Sequence, residues 1–178
     1  MTAAGVILGG AGLVVPAALL DAAWSDGRRY RIPDRDSIAL VVAFIVWTAA
    51  GLWAHGWNGA AWPALGGHAA AGLAAFIVGA VLFALGLWGG GDAKLLAAMA
   101  VWTGFAGLPR LLLVMAIAGG VLAVVVLAWR RLPFGKTAGP KVGDGGAAGA
   151  GGYLPYGMAI ALAGLDWWSS AVLPRLGW

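Results

Sequence analysis

The sequence predicts an all-α polytopic membrane protein with about six transmembrane helices and its N-terminus outside. Of its 178 residues, 62% are hydrophobic and 10% are charged, and the mean hydropathy is +0.89. A soluble domain carries about a quarter charged residues, so these few cannot cover a surface that faces water. That excludes an ordinary cytosolic enzyme and, despite a pI near 10.0, a nucleic-acid binder. The charges are also sorted along the chain, which sets orientation. Six spans leave room for a single membrane-embedded domain, 1–178.

Apolar runs occur at about 3–24, 38–54, 69–88, 95–108, 111–129 and 153–173, and about 20 such residues cross a bilayer. The first run holds Pro16 and ends in Asp21-Ala22-Ala23-Trp24. Its leader, Met1-Thr2-Ala3-Ala4, has no Lys or Arg, so a cleaved signal peptide is not expected. The second follows Asp36-Ser37, where Asp36 reads as a helix N-cap. The third carries Gly72, Gly79 and Gly86 at seven-residue spacing, a stripe suited to close helix packing in lipid. The fourth is short: even counted from Asp92 it rises only about 25 Å. Gly119-Gly120 lies midway along the fifth, and the sixth ends in Trp167-Trp168, an interfacial anchor beside a structural Asp166. Between the last two, half of residues 139–152 are Gly, so a flexible cytoplasmic loop is expected over about 132–152. Asp144 belongs to that loop; no Gly-Lys-Ser/Thr follows to make a phosphate loop.

Nine of the eleven Lys/Arg residues fall on one side if six spans alternate. They are Arg28, Arg29, Arg31, Arg35, Lys94, Arg130, Arg131, Lys136 and Lys141; only Arg110 and Arg175 fall opposite. The positive-inside rule makes the basic side cytoplasmic.

The chemistry available is narrow. Cysteine and glutamate are absent, so all seven acids are Asp. Disulfides, Cys-based zinc sites and a Cys nucleophile are excluded. The topology sends Asp26, Asp34, Asp36 and Asp92 to the cytoplasmic ends of spans one to four. Two carboxyls from different helices can share a proton, one accepting a proton from water while the other polarises a carbonyl. That suffices to hydrolyse a peptide bond without a metal or cofactor. Asp92 closes Gly89-Gly90-Gly91-Asp92, where glycines permit irregular backbone that another chain can approach; its plain structural reading is a helix N-cap. Asp26 lies in Trp24-Ser25-Asp26-Gly27-Arg28-Arg29-Tyr30-Arg31-Ile32-Pro33-Asp34, and its plain reading is a helix-ending turn residue among arginines. Asp34 reads as turn chemistry after Pro33. Asp21, inside span one, is a functional candidate with no evident partner. His55 and His68 read as isolated surface histidines on the outer side. Lys94 points away from Asp92 and either anchors the membrane face or lines the rim of the site.

Three segments resemble the type IV prepilin peptidases, aspartic peptidases of the Gly-x-Gly-Asp class. They are Ser25-Asp26-Gly27-Arg28-Arg29-Tyr30-Arg31-Ile32-Pro33, Gly89-Gly90-Gly91-Asp92-Ala93-Lys94-Leu95-Leu96 and Leu154-Pro155-Tyr156-Gly157-Met158-Ala159-Ile160-Ala161. The resemblance implies that Asp26 and Asp92 are the catalytic dyad. It makes Gly89, Gly91, Lys94, Arg28, Arg31, Pro33, Pro155, Tyr156 and Gly157 candidates for lining the site. It also implies a bacterial inner-membrane enzyme that cuts the leader from a prepilin or pseudopilin at the cytoplasmic face, with lipid around it. The family commonly has Asn after Ile-Pro, where this chain has Asp34. Without the family's Cys-x-x-Cys segment, N-methyl transfer is not expected, and the size resembles the short form that serves Flp/Tad pili. Oligomeric state is not legible. The leading alternative is a small proton- or ion-coupled transporter, which would place acids near the bilayer midplane. A head-group transferase fails on the spacing of Asp21 and Asp26, and a rhomboid-like serine peptidase lacks its Ser and His motifs.

Overall fold

The computed structural model describes residues 3–55, 61–131 and 156–176. These form α1 (Ala3–Arg29), α2 (Asp34–His55), α3 (Ala61–Ala84), α4 (Gly90–Arg131) and α5 (Tyr156–Ala171), followed by a 3-10 turn, Leu173–Leu176. No strand occurs among the described residues, and α1 to α4 each hold a stretch long and apolar enough to cross a membrane. The Gly-rich 139–152 segment, Lys136, Lys141, Asp144 and Pro155 lie outside the described residues, as do the side chains of His55, Arg130, Arg131 and Arg175.

Five helices are thus assigned where six spans are predicted, because α4 runs through both the fourth and the fifth of them. Its apolar stretch Gly90–Ala128 has 39 residues; a straight helix of that length would reach about 60 Å, twice the hydrocarbon core. It is broken at Gly104, whose backbone is left-handed and extended (φ 59°, ψ −177°). The arms on either side run in opposite directions. Along the first arm, Ala93 meets Gly79 and Val101 meets Gly72, so it is antiparallel to α3. Along the second, Gly107 meets Trp167 and Gly119 meets Tyr156, so it is antiparallel to α5. The reversal thus comes at Gly104 rather than near Pro109-Arg110, where the apolar pattern is interrupted, because glycine alone adopts this φ cheaply.

The break leaves helix carbonyls without partners, and side chains supply them. His68 is not an isolated surface histidine: its Nδ1 lies 2.8 Å from the carbonyl of Val101, and its ring covers Gly104. Trp102 donates from Nε1 to the Leu40 carbonyl of α2 (2.9 Å) and sits among the rings of Phe44, Trp47 and Trp167. The same device repairs α1. Pro16 has no N–H for the Gly12 carbonyl four residues earlier, and Trp168 donates from Nε1 to that oxygen instead (2.8 Å). A backbone group freed inside a membrane must find such a partner.

Gly86 does not belong to a packing stripe. α3 stops at Ala84, and Gly86 (φ 71°) ends it in the left-handed conformation. The Leu87 N–H bonds the Leu82 carbonyl and the Gly86 N–H bonds the Phe83 carbonyl, both at 2.9 Å, which is the Schellman arrangement. Nor is Asp36 the N-cap of α2. That helix starts at Asp34, and the Asp36 N–H bonds the Pro33 carbonyl at 3.2 Å.

The contacts sort the molecule into two ends. Gly12, His68, Gly104, Trp168 and the Arg110–Asp166 ion pair (2.9 Å) share one. Asp26, Ile32, Asp34, Gly91, Lys94 and Gly157 share the other, which also carries Arg28, Arg29, Arg31 and Arg35. Between them α5 runs as a central helix, with Ala159, Ile160, Ala161, Ala163 and Gly164 buried.

The repair of α1 can be tested by a double-mutant cycle. Trp168→Phe should cost about 0.6–1 kcal/mol, the worth of one interhelical hydrogen bond. In a Pro16→Ala background it should cost less, because the backbone N–H restored at that position then takes the Gly12 carbonyl. Denaturation in mixed detergent micelles reads both differences.

Candidate active site

Asp26 lies in the last turn of α1, and the turn after it determines its surroundings. α1 ends at Arg29, and Tyr30 turns left-handed (φ 53°) with its N–H bonded to the Asp26 carbonyl at 2.9 Å. Ser25 Oγ then donates to the Arg31 carbonyl at 2.7 Å, folding residues 30–33 back against the helix end. Pro33 restricts Ile32 to extended backbone, and α2 follows at once.

That fold-back presents Ile32 to two glycines. A Cβ on Gly91 would lie 3.0 Å from the Cβ of Ile32, and one on Gly157 only 2.6 Å from its Cδ1. One isoleucine side chain is thus wedged between the start of α4 and the start of α5. The Gly157 N–H donates to Asp26 Oδ2 at 2.8 Å, and the Met158 N–H also faces that carboxyl. Asp26 therefore receives two of the free N–H groups in the first turn of α5, whose N-terminus is the positive end of its dipole. A Cβ on Gly157 would sit 2.8 Å from Oδ2, so only glycine permits this approach.

Asp92 occupies the third position of α4 rather than its N-cap, since the helix starts at Gly90. The Gly89 N–H faces its carboxyl group, as the acid of a capping box would accept it. Its Oδ1 is buried and has no hydrogen-bond partner among the described residues. Both carboxyls are withdrawn from solvent, Asp26 at 4% exposed and Asp92 at 8%, and Asp92 lies within reach of the charge on Asp26. Two buried carboxyls from separate helices with one unsatisfied oxygen can bind a water and exchange protons with it.

The other predicted residues divide. Gly157 touches Asp26 and the Gly89 N–H faces Asp92, whereas Gly91 and Pro33 act through Ile32, the first by meeting it and the second by following it in the chain. Tyr156 is partly exposed and meets Trp88 edge-on at 6.4 Å between ring centroids. Lys94 pairs with Asp34 at 2.8 Å, tying the start of α2 to α4. Arg28 stacks its guanidinium over Trp24 at 3.8 Å and Arg31 is exposed; neither has a contact with Asp26 or Asp92 among those the structure gives. Asp21 has a partner after all, Arg35, which also reaches Asp36 at 3.6 Å. Asp36 is 4% exposed and its Oδ2 is unpartnered among the described residues. Sequence reasoning passed over Ile32 and Met158, although both lie inside the quoted motifs. What marks them is contact across the chain, which spacing does not reveal.

Gly157→Ala should destabilise the protein by about 1–3 kcal/mol through overpacking. Adding Ile32→Val, which removes the offending Cδ1, should recover part of that loss but not the clash with Asp26. The same denaturation measurement separates the two contacts.

A model of the type IV leader peptidase family matches residues 13–124, more than half of the chain. The match spans both Asp26 and Asp92 and ends before Tyr156. No curated protein and no solved structure matches the chain. All-helical architecture, four long apolar helices and the extent of the match lead to one conclusion: this chain belongs to the type IV leader peptidase family and is a multi-pass membrane peptidase.

Proposed function

We propose that the chain is a prepilin leader peptidase, in which Asp26 and Asp92 together hydrolyse the bond between leader and mature pilin. The observation that carries this is the burial of two carboxyls from α1 and α4 at one end of the bundle, each met by backbone N–H groups and within reach of each other's charge. The ionised member takes a proton from water as its oxygen attacks the scissile carbonyl carbon. The protonated member gives its proton to the carbonyl oxygen. Collapse of the tetrahedral intermediate returns a proton to the departing amine, and both products leave with no bond to the enzyme. The pair titrates as a unit, so base and acid are roles of the dyad.

In this reading the whole chain acts as one membrane-embedded unit. The basic end that carries the aspartates faces the cytoplasm of a bacterium, by the positive-inside rule. The substrate is a prepilin or pseudopilin of the Flp/Tad kind, anchored by an apolar N-terminal helix. Proton-coupled transport is less well supported: the buried aspartates among the described residues, Asp26, Asp36 and Asp92, gather at one end rather than at mid-depth.

Asp26→Asn and Asp92→Asn should each lower leader cleavage by about 10³-fold or more, as expected when one member of a concerted set is lost. Membrane insertion and expression should be unchanged. Co-expression with a Flp-type prepilin, scored for leader loss on a gel, reads the outcome. Full activity of both variants would overturn the assignment.

A further inference from the structure

Two aromatic residues stand directly before the two glycines whose N–H groups meet the aspartates. Trp88 precedes Gly89, whose N–H faces Asp92. Tyr156 precedes Gly157, whose N–H donates to Asp26 Oδ2 at 2.8 Å. A peptide unit is planar from one α-carbon to the next. The donor that meets Asp92 therefore shares a plane with the α-carbon of Trp88, and the donor that meets Asp26 with that of Tyr156. A glycine has no side chain with which to fix such a plane, so the residue before it must.

Each ring is anchored. Trp88 lies in the connection between α3 and α4 and packs, partly buried, against the apolar core. Tyr156 opens α5 and lies over Gly119 on the second arm of α4, where a Cβ would come 3.6 Å from its Cε1. The two rings then meet each other edge-on, 6.4 Å between centroids, inside the range of about 4.5–7 Å in which such pairs attract. Among the described residues neither side chain hydrogen-bonds Asp26 or Asp92.

We propose that Trp88 and Tyr156 are positioning residues for the two-aspartate reaction, a bracket that joins the peptide units holding the two carboxyls; this rests on the peptidase reading above. Ile32, wedged between Gly91 and Gly157, keeps the starts of α4 and α5 from closing further. The ring contact keeps them from drifting apart. Spacing between the carboxyls is thus bounded in both directions, and proton transfer through a shared water depends on it, since a misplacement of about 1 Å can cost about 100-fold in rate.

The test is steady-state cleavage of a purified Flp-type prepilin in mixed detergent micelles, with rates taken per folded enzyme. Tyr156→Leu should lower kcat about 10- to 100-fold, with KM within about twofold of wild type. Tyr156→Phe, which restores the ring without its hydroxyl, should bring kcat back to within about threefold. Trp88→Leu should fall as far as Tyr156→Leu, and the double variant no further than the lower single one, because one bracket is lost only once. Trp53→Leu removes an exposed ring at the far end of α2 and should leave kcat unchanged. Tyr156 is 37% exposed, so its variants fold even where Trp88→Leu does not, and they decide the proposal alone. A Tyr156→Leu enzyme that is less stable but has wild-type kcat makes the ring a packing element and overturns the bracket. A raised KM at unchanged kcat makes it a substrate contact and overturns the bracket too, as do losses that multiply in the double variant. In all three cases the wild type still cleaves, and the peptidase reading stands. A wild type that leaves the prepilin uncut overturns that reading and the bracket with it.

Discussion

The carboxylate of Asp26 accepts the N–H of Gly157, and around that contact three separate stretches of chain are brought into one place. The first turn of a helix offers N–H groups with no internal partner, and where that turn is buried in the protein, as at Gly157, they cannot be left to water. Asp26 provides the acceptor from another helix. For the carboxylate to arrive, position 157 must have no side chain, and Ile32 must already be turned inward to meet the same glycine. That in turn requires α1 to stop at Arg29, Tyr30 to turn left-handed and Pro33 to hold the preceding residue extended. The position of Asp26 and the packing of α5 are therefore one structural event.

The opposite end of the molecule solves a different problem by similar means. Gly104 lets α4 turn back on itself, and Pro16 removes one backbone donor from α1, so both free a carbonyl inside an apolar bundle. His68 and Trp168 answer those carbonyls across helices, and Trp102 beside the break ties α4 to the Leu40 carbonyl of α2. The aromatic cluster at that end is thus tied to the backbone irregularities rather than being only filler. Polar repair at one end and buried carboxyls at the other leave the middle of the bundle to small and aliphatic residues. α5 accordingly passes through it with alanine and glycine on most of its buried face.

The charged side chains follow the same economy. Asp34 with Lys94, Asp21 with Arg35 and Asp166 with Arg110 are paired at partly exposed positions, where each pair contributes only about 0–1 kcal/mol. Their use is placement more than stability: Asp34 and Lys94 pin the start of α2 to the start of α4 next to Asp92. Asp26 and Asp92 are instead buried and have no cationic partner among the described residues. Two acids left in that condition are costly to keep for packing alone, which is why they stand out chemically.

Much was legible in the residues alone. Composition settled the membrane class, charge placement sorted the ends, and Asp26, Asp92 and Gly157 were all marked by their motifs before any contact was known. These features are local, or follow from counting spans. What only the tertiary structure decided depends on which side chain meets which backbone atom across the bundle. The reversal falls at Gly104 because a glycine there can turn left-handed while His68 covers the gap, whereas apolar periodicity merely shows a pause a few residues later. Gly86 ends a helix although its spacing matches a packing stripe, since spacing cannot tell where hydrogen bonding stops. Ile32 becomes the wedge of the site, and His68 and Trp168 become partners for freed carbonyls. Each of these roles belongs to a pair of positions far apart in sequence, and no single stretch of chain contains it.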